Sequence, residues 1–111
     1  MTDLYITWGE TQSYSIAVDL PEGTTLAGHT LVFTARNGSR RIQKTSTAGG
    51  IVVDNAATGA ATLTIDRADT ITAPNPTRRE QPAPWLYDLW LDEERIAYGT
   101  LWVSQAITTD V

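Results

Sequence analysis

The 111-residue sequence predicts an all-β chain, an antiparallel sandwich of two sheets, and three observations carry that expectation. Apolar residues recur at every second position in run after run, which is the strand period. Gly, Pro, Asn and Asp punctuate the runs at short intervals. Threonine recurs throughout, and no long stretch carries the 3.6-residue helical repeat. The clearest case is the last third, where residues 85–91 and 96–103 are separated only by Asp92-Glu93-Glu94-Arg95. In this hairpin Tyr87, Leu89, Leu101 and Val103 are expected in the core. Asp88, Trp90, Thr100 and Trp102 fall on the opposite face.

The elements follow in order. Residues 4–8, Leu-Tyr-Ile-Thr-Trp, are rich in strand formers and stop at Gly9-Glu10, giving a first strand. Tyr14, Ile16, Val18 and Leu20 alternate with Ser13, Ser15, Ala17 and Asp19, a half-buried strand that ends at Pro21-Glu22-Gly23. Residues 30–36 put Leu31, Phe33 and Ala35 on one face, and Asn37-Gly38 then signals a type I′ hairpin into a strand at 40–45. Arg36, Arg40, Arg41 and Lys44 gather around that turn. They read as a solvated edge that resists sheet-to-sheet aggregation, or as a holder for an acidic partner.

Ile51-Val52-Val53 and Thr62 to Ile65 give two further strands joined by a turn. Residues 67–72 lack the two-residue period and predict a single helical turn capped by Asp66 or Thr70. Pro74, Pro76, Pro82 and Pro84 break the polar stretch 75–81 into a surface loop. The sum is one domain over residues 1–111, with seven or eight strands and at most one short helical turn. A small barrel is the alternative.

Composition narrows the function. A net charge of −5 and a pI near 4.6 oppose nucleic-acid binding, which needs clustered basic residues in excess of acids. No apolar run reaches the length of a membrane span, and the start of the sequence lacks the basic and apolar regions of a signal peptide, so synthesis in a cytoplasm is expected. With no cysteine there is neither a disulfide nor a thiol nucleophile. His29 is the single histidine, too few for a multi-histidine metal site, and it reads as a surface residue in a turn.

Carboxylates are the plentiful reactive groups. Asp92, Glu93 and Glu94 sit in or beside a tight turn, however, whereas paired-carboxylate hydrolysis needs two groups across a cleft. Neither a calcium loop nor a phosphate-binding glycine motif is present. No enzyme, cofactor or metal is therefore expected. Trp90 and Trp102, with Asp88 and Thr100 on the same face, are the candidate interaction residues. Three roles remain open for the indoles: cross-strand or core packing, a protein interface, or a platform for sugar rings.

The order of these elements resembles a known group. The short aromatic strand ending in Gly9-Glu10-Thr11, the strand 14–20, and Leu26-Ala27-Gly28 before Leu31-Val32-Phe33-Thr34 form its first half. Asp54 with Gly59 before Leu63-Thr64-Ile65, then Tyr87-Asp88-Leu89-Trp90-Leu91 and Gly99-Thr100-Leu101-Trp102-Val103, form the second. Together they are similar to the small immunoglobulin-like β-sandwich domains of tailed-bacteriophage virions, above all amino-terminal domains of baseplate and tail-fibre proteins. The resemblance implies a structural protein of the tail, baseplate or head-tail region, a homo-oligomer whose partners are other virion subunits. It implies a virion location after synthesis in the bacterial host and supplies no catalytic residue. A glycan-binding or adhesion module using the tryptophans is the alternative. The proline-rich loop 73–84 is longer than the group's usual turn.

Overall fold

The computed structural model describes residues 3–77, 79 and 82–107, and among these the chain forms eight strands and one helical turn. The elements are β1 (Leu4–Thr7), β2 (Gln12–Ala17), β3 (Leu31–Asn37), β4 (Arg40–Thr45), β5 (Ile51–Asn55), β6 (Ala60–Ile65), α1 (Arg67–Thr70), β7 (Ala83–Leu91) and β8 (Glu94–Ser104). They divide into a five-stranded sheet ordered β1-β8-β7-β3-β4 and a three-stranded sheet ordered β2-β6-β5. Two open sheets make a sandwich and not a barrel. In an immunoglobulin variable-type sandwich strands B-E-D face G-F-C-C′, the order taken here by β2-β6-β5 and β8-β7-β3-β4. The fold is immunoglobulin-like on this topology. The position beside B, which strand A takes in the complete four-stranded sheet, is empty among the described residues.

All pairings are antiparallel except one. β1 runs parallel to β8, with Leu4 opposite Leu101 and Thr7 opposite Ser104. Because β1 has only four residues, it covers the far end of β8, and among the described residues positions 94–100 have no strand neighbour on that side.

The core is built by the alternating residues. Leu31, Phe33 and Ala35 of β3, Leu63 and Ile65 of β6, and Trp85, Tyr87, Leu89, Leu101 and Val103 of the last hairpin are all buried. Phe33 and Tyr87 place their rings 5.3 Å apart at a tilt of 30°. This packing occupies the centre of a sandwich that has no inter-sheet disulfide, since the chain has no cysteine.

Local chemistry moved two of the expected turns. The β3–β4 turn is Gly38-Ser39, one residue later than Asn37-Gly38, and Asn37 pairs with Arg40 as part of the ladder. Gly38 has φ 61 while Ser39 lies outside the positive-φ region, an arrangement that excludes type I′ and fits type II′. The last hairpin turns at Asp92-Glu93 instead of over four residues, because Leu91 pairs with Glu94 and Trp90 with Arg95. Ile96 is then an extra residue between Arg95 and Ala97, a bulge that restores the inward alternation of Ala97, Gly99, Leu101 and Val103.

α1 carries the chain from the three-stranded to the five-stranded sheet. Asp66 is its N-cap residue, and its N–H donates to Asp69 Oδ2 at 2.7 Å. Buried Thr70 accepts the Gly9 N–H at 2.8 Å, and Trp8 Nε1 donates to the Ala73 carbonyl at 2.8 Å, so the end of β1 is fastened to this turn. The proline-rich loop is anchored where it is described. Pro76 is buried, and Asn75 exchanges two hydrogen bonds with the Ala106 backbone, at 3.0 and 2.9 Å. Arg78, Glu80 and Gln81 of the expected surface loop lie outside the described residues.

The basic group around the β3–β4 turn separates. Arg36 and Arg41 oppose each other on the outer face, on the edge strand β4 and its neighbour, as a solvated edge requires. Lys44 pairs with Phe33 in register and extends instead to α1, with Nζ 2.7 Å from Asp69 Oδ2 and 3.1 Å from Asp66 Oδ2. Burial opposes the charge of Lys44, but the hydrogen bonds to Asp69 and Asp66 outweigh it and raise its pKa. Its stem lies directly over Gly50, where a Cβ would come within 2.8 Å of Lys44 Cδ. Glycine at this position leaves room for the ion pair that ties β4 to α1.

Candidate interaction surface

The outer face of the five-stranded sheet carries every candidate residue. Strand alternation puts Asp88 and Trp90 of β7 and Thr100 and Trp102 of β8 on this face, away from the core. Cross-strand register orders them in rows. Tyr5, Trp102 and Pro84 form one row, Thr100, Leu86 and Arg36 the next, then Tyr98, Asp88 and Thr34, and finally Arg95, Trp90 and Val32.

The two indoles are therefore not a cross-strand pair. Trp102 opposes Pro84 and Trp90 opposes Arg95, six residues apart along β7, which sets them about 20 Å from each other. Trp102 is half-buried, and its Nε1 donates to Asp3 Oδ2 at 3.1 Å. Trp90 is 37% exposed. Between and beside them stand residues that the tryptophans overshadow in the sequence: Leu86 at 70% exposure, Tyr5 at 64% and Tyr98 at 53%. The Arg95 guanidinium lies 4.8 Å from the centre of the Tyr98 ring, a cation–π contact. The result is a band of aromatic and aliphatic surface across three strands, interrupted by Asp88 and Thr100 and bounded on one side by Arg36 and Arg41. The alternation of β8 already placed Tyr98 on the face of Trp102. The share taken by Tyr5 depends on the parallel β1–β8 pairing, for which the chain has no local signal.

His29 belongs to a different corner. Its Nδ1 lies 2.5 Å from Asp92 Oδ2, while Asp92 Oδ1 accepts the Thr30 N–H at 2.9 Å. The Thr30 N–H and then the His29 ring hold the Asp92 carboxyl below the usual aspartate range. Both side chains are well exposed, and Asp92 has φ 52, so the pair locks the β7–β8 turn onto the start of β3.

A second feature lies between the sheets. A cleft of about 680 Å³ opens along β2 and the first half of β8, lined by Tyr14, Ile16, Phe33, Tyr87, Leu89 and Ala97 among others. At the β1 side Tyr14 crosses it and donates its hydroxyl to the Tyr5 carbonyl at 2.6 Å. Burial pushes the Tyr14 phenol up to about 12. The neutral form is thus the one the fold favours. Stability is unaffected by this group below the ordinary tyrosine value of 10.0 and falls as pH rises from there toward about 12. Absorbance titration of the phenolates is expected to show a late step near pH 12 that Tyr14→Phe removes. A late step that survives the substitution would mean that another tyrosine carries it.

Comparison with known proteins adds no family. No family model matches the sequence, and no curated protein matches it. Among solved structures, that of murine CRIg is similar over 92% of this chain and 90% of that chain, with 12% sequence identity and a TM-score of 0.43.

Proposed function

We propose that the protein is a non-enzymatic structural component of a bacteriophage or prophage virion, placed in the tail, baseplate or head-tail region and acting through protein-protein contacts. The observation that carries this reading is the exposed band of Tyr5, Leu86, Trp90 and Tyr98 on the five-stranded sheet. Aromatic residues supply large contact area at little entropic cost, and exposed aromatic and aliphatic side chains gathered on one sheet face with polar residues among them mark an interaction site. The assembly is a symmetric ring or trimer of this chain joined to other virion subunits. The separation of the indoles by about 20 Å favours a broad protein partner over one sugar ring held between them.

Purified protein examined by light scattering, and offered to virion subunits in a pull-down, tests the reading. Self-association and capture of a virion subunit are expected, and Leu86→Glu with Tyr5→Glu should abolish both without lowering the melting temperature, because these side chains are 70% and 64% exposed. A strict monomer that captures no virion subunit overturns it. A saturable change of indole fluorescence on sugar titration would move the assignment to a glycan-binding module.

A further inference from the structure

The cleft between the sheets and the vacant position beside β2 are the same place. Among the described residues the edge of β2 opposite β6 has no strand partner along Gln12–Ala17, so alternate backbone N–H and C=O groups there face outward without a ladder. Across the cleft, β8 contributes Ala97 and Gly99 to the inner face, and among the described residues β1 begins at Leu4. Small side chains on one wall and, among the described residues, no strand on the other leave a space of about 680 Å³ of mixed polar and apolar lining, with Tyr14, Ile16 and Phe33 on its apolar part. A space of this shape asks for large side chains delivered from a backbone that pairs with β2. The free stretch of β8 is the poorer template, because the bulge at Ile96 interrupts its ladder.

We propose that this cleft is an acceptor groove, taking an extended segment of a partner protein as a fourth strand on the edge of β2. Large apolar side chains at alternate positions enter the cleft, and a basic residue meets Asp19 and Glu94, whose two carboxylates exceed the one neighbouring cation of the lining, Arg95. The proposal deepens the assembly reading, naming a second contact distinct from the aromatic band. A folded second copy does not serve as the occupant. The inward side chains of its own edge strands are committed to its own core, and each copy carries a net charge of −5. The donor is a segment with both faces free, weakly basic and apolar at every second residue.

The probe is a short synthetic peptide alternating leucine and threonine and ending in two lysines, with a twin whose alternate backbone amides are N-methylated. Amide hydrogen exchange on the whole protein is the readout. Saturable binding is expected to slow exchange at Ser13, Ser15 or Ala17 by about tenfold or more, with the free edges of β4 and β5 unchanged. The N-methylated twin should not bind, and Ala97→Leu, which fills the groove, should lose binding while keeping its melting temperature. No saturable protection at millimolar peptide overturns the proposal. So does equal binding of the N-methylated twin, which would mean apolar adhesion without strand pairing, or equal protection at β4 and β5, which would mean unselective edges. Should Ala97→Leu fail to fold, the comparison between twin peptides still decides. If the groove stays empty while virion subunits are still captured, assembly rests on the aromatic band alone, so the two readings fail separately.

Discussion

Replacing Gly59 by alanine is expected to lower stability by about 3 kcal/mol or more, among the largest effects of any single substitution in this chain. Gly59 closes the β5–β6 turn with φ +80, a conformation that costs an ordinary residue about 1–2 kcal/mol. Its carbonyl accepts the Val18 N–H at 2.9 Å, drawing the chain after β2 against the turn. A Cβ at this position would overlap the Val18 carbonyl oxygen, a backbone atom that no rotamer change moves away. Relief requires the two segments to part, which also strains a hydrogen bond with a net contribution of about 0.5–1.5 kcal/mol. Gly23→Ala is the internal control, because Gly23 has φ +83 but open space around it, and it should show the conformational cost alone. Urea denaturation of both variants checks this. Equal losses at the two positions would remove the steric account of Gly59.

Phe33→Ala should cost about 3–5 kcal/mol, the range for emptying an aromatic site in a packed core. Phe33 is 1% exposed and sits on β3, between β7 and β4, so neighbours surround it within its sheet as well as across the sandwich. Removing the ring also ends the tilted contact with Tyr87 at 5.3 Å. Because the cleft wall lies beside it, the void would join an existing space instead of collapsing. Phe33→Leu should retain most of the stability, with a loss below about 1.5 kcal/mol. The expected signature is a lower denaturation midpoint at unchanged slope. A loss under about 1 kcal/mol for Phe33→Ala would show that the site refills on its own.

What was legible beforehand follows the range of the interaction. The strand period is a local property, so Leu31, Phe33 and Ala35, and likewise Tyr87, Leu89, Leu101 and Val103, could be assigned to the core from alternation alone, and all are buried. Capping chemistry is equally local, and Asp66 caps the helical turn as its position before residues 67–72 suggests. Turn registry was not, because Gly38 can open a two-residue turn as readily as it can close one. A single bulge at Ile96 decided that Trp90 faces Arg95. The face of the candidate residues was therefore visible, and the distance between Trp90 and Trp102 was not. The contacts of Asp92 with His29, of Lys44 with Asp69, and of β1 with β8 join positions far apart in the chain, and no spacing rule announces them.

The parallel pairing of β1 with β8 has a consequence for the order of events during synthesis. Leu4 leaves the ribosome long before Leu101, yet they are partners. At about 5–20 residues per second, β1 waits roughly 5–20 s for the strand that receives it. Closing so long a loop is the entropically expensive contact, made after the local hairpins β3–β4 and β7–β8 have formed. During that interval the nascent chain shows the edge of β2 with nothing beside it, so the same vacancy that defines the finished groove is also where an early encounter with another chain would begin.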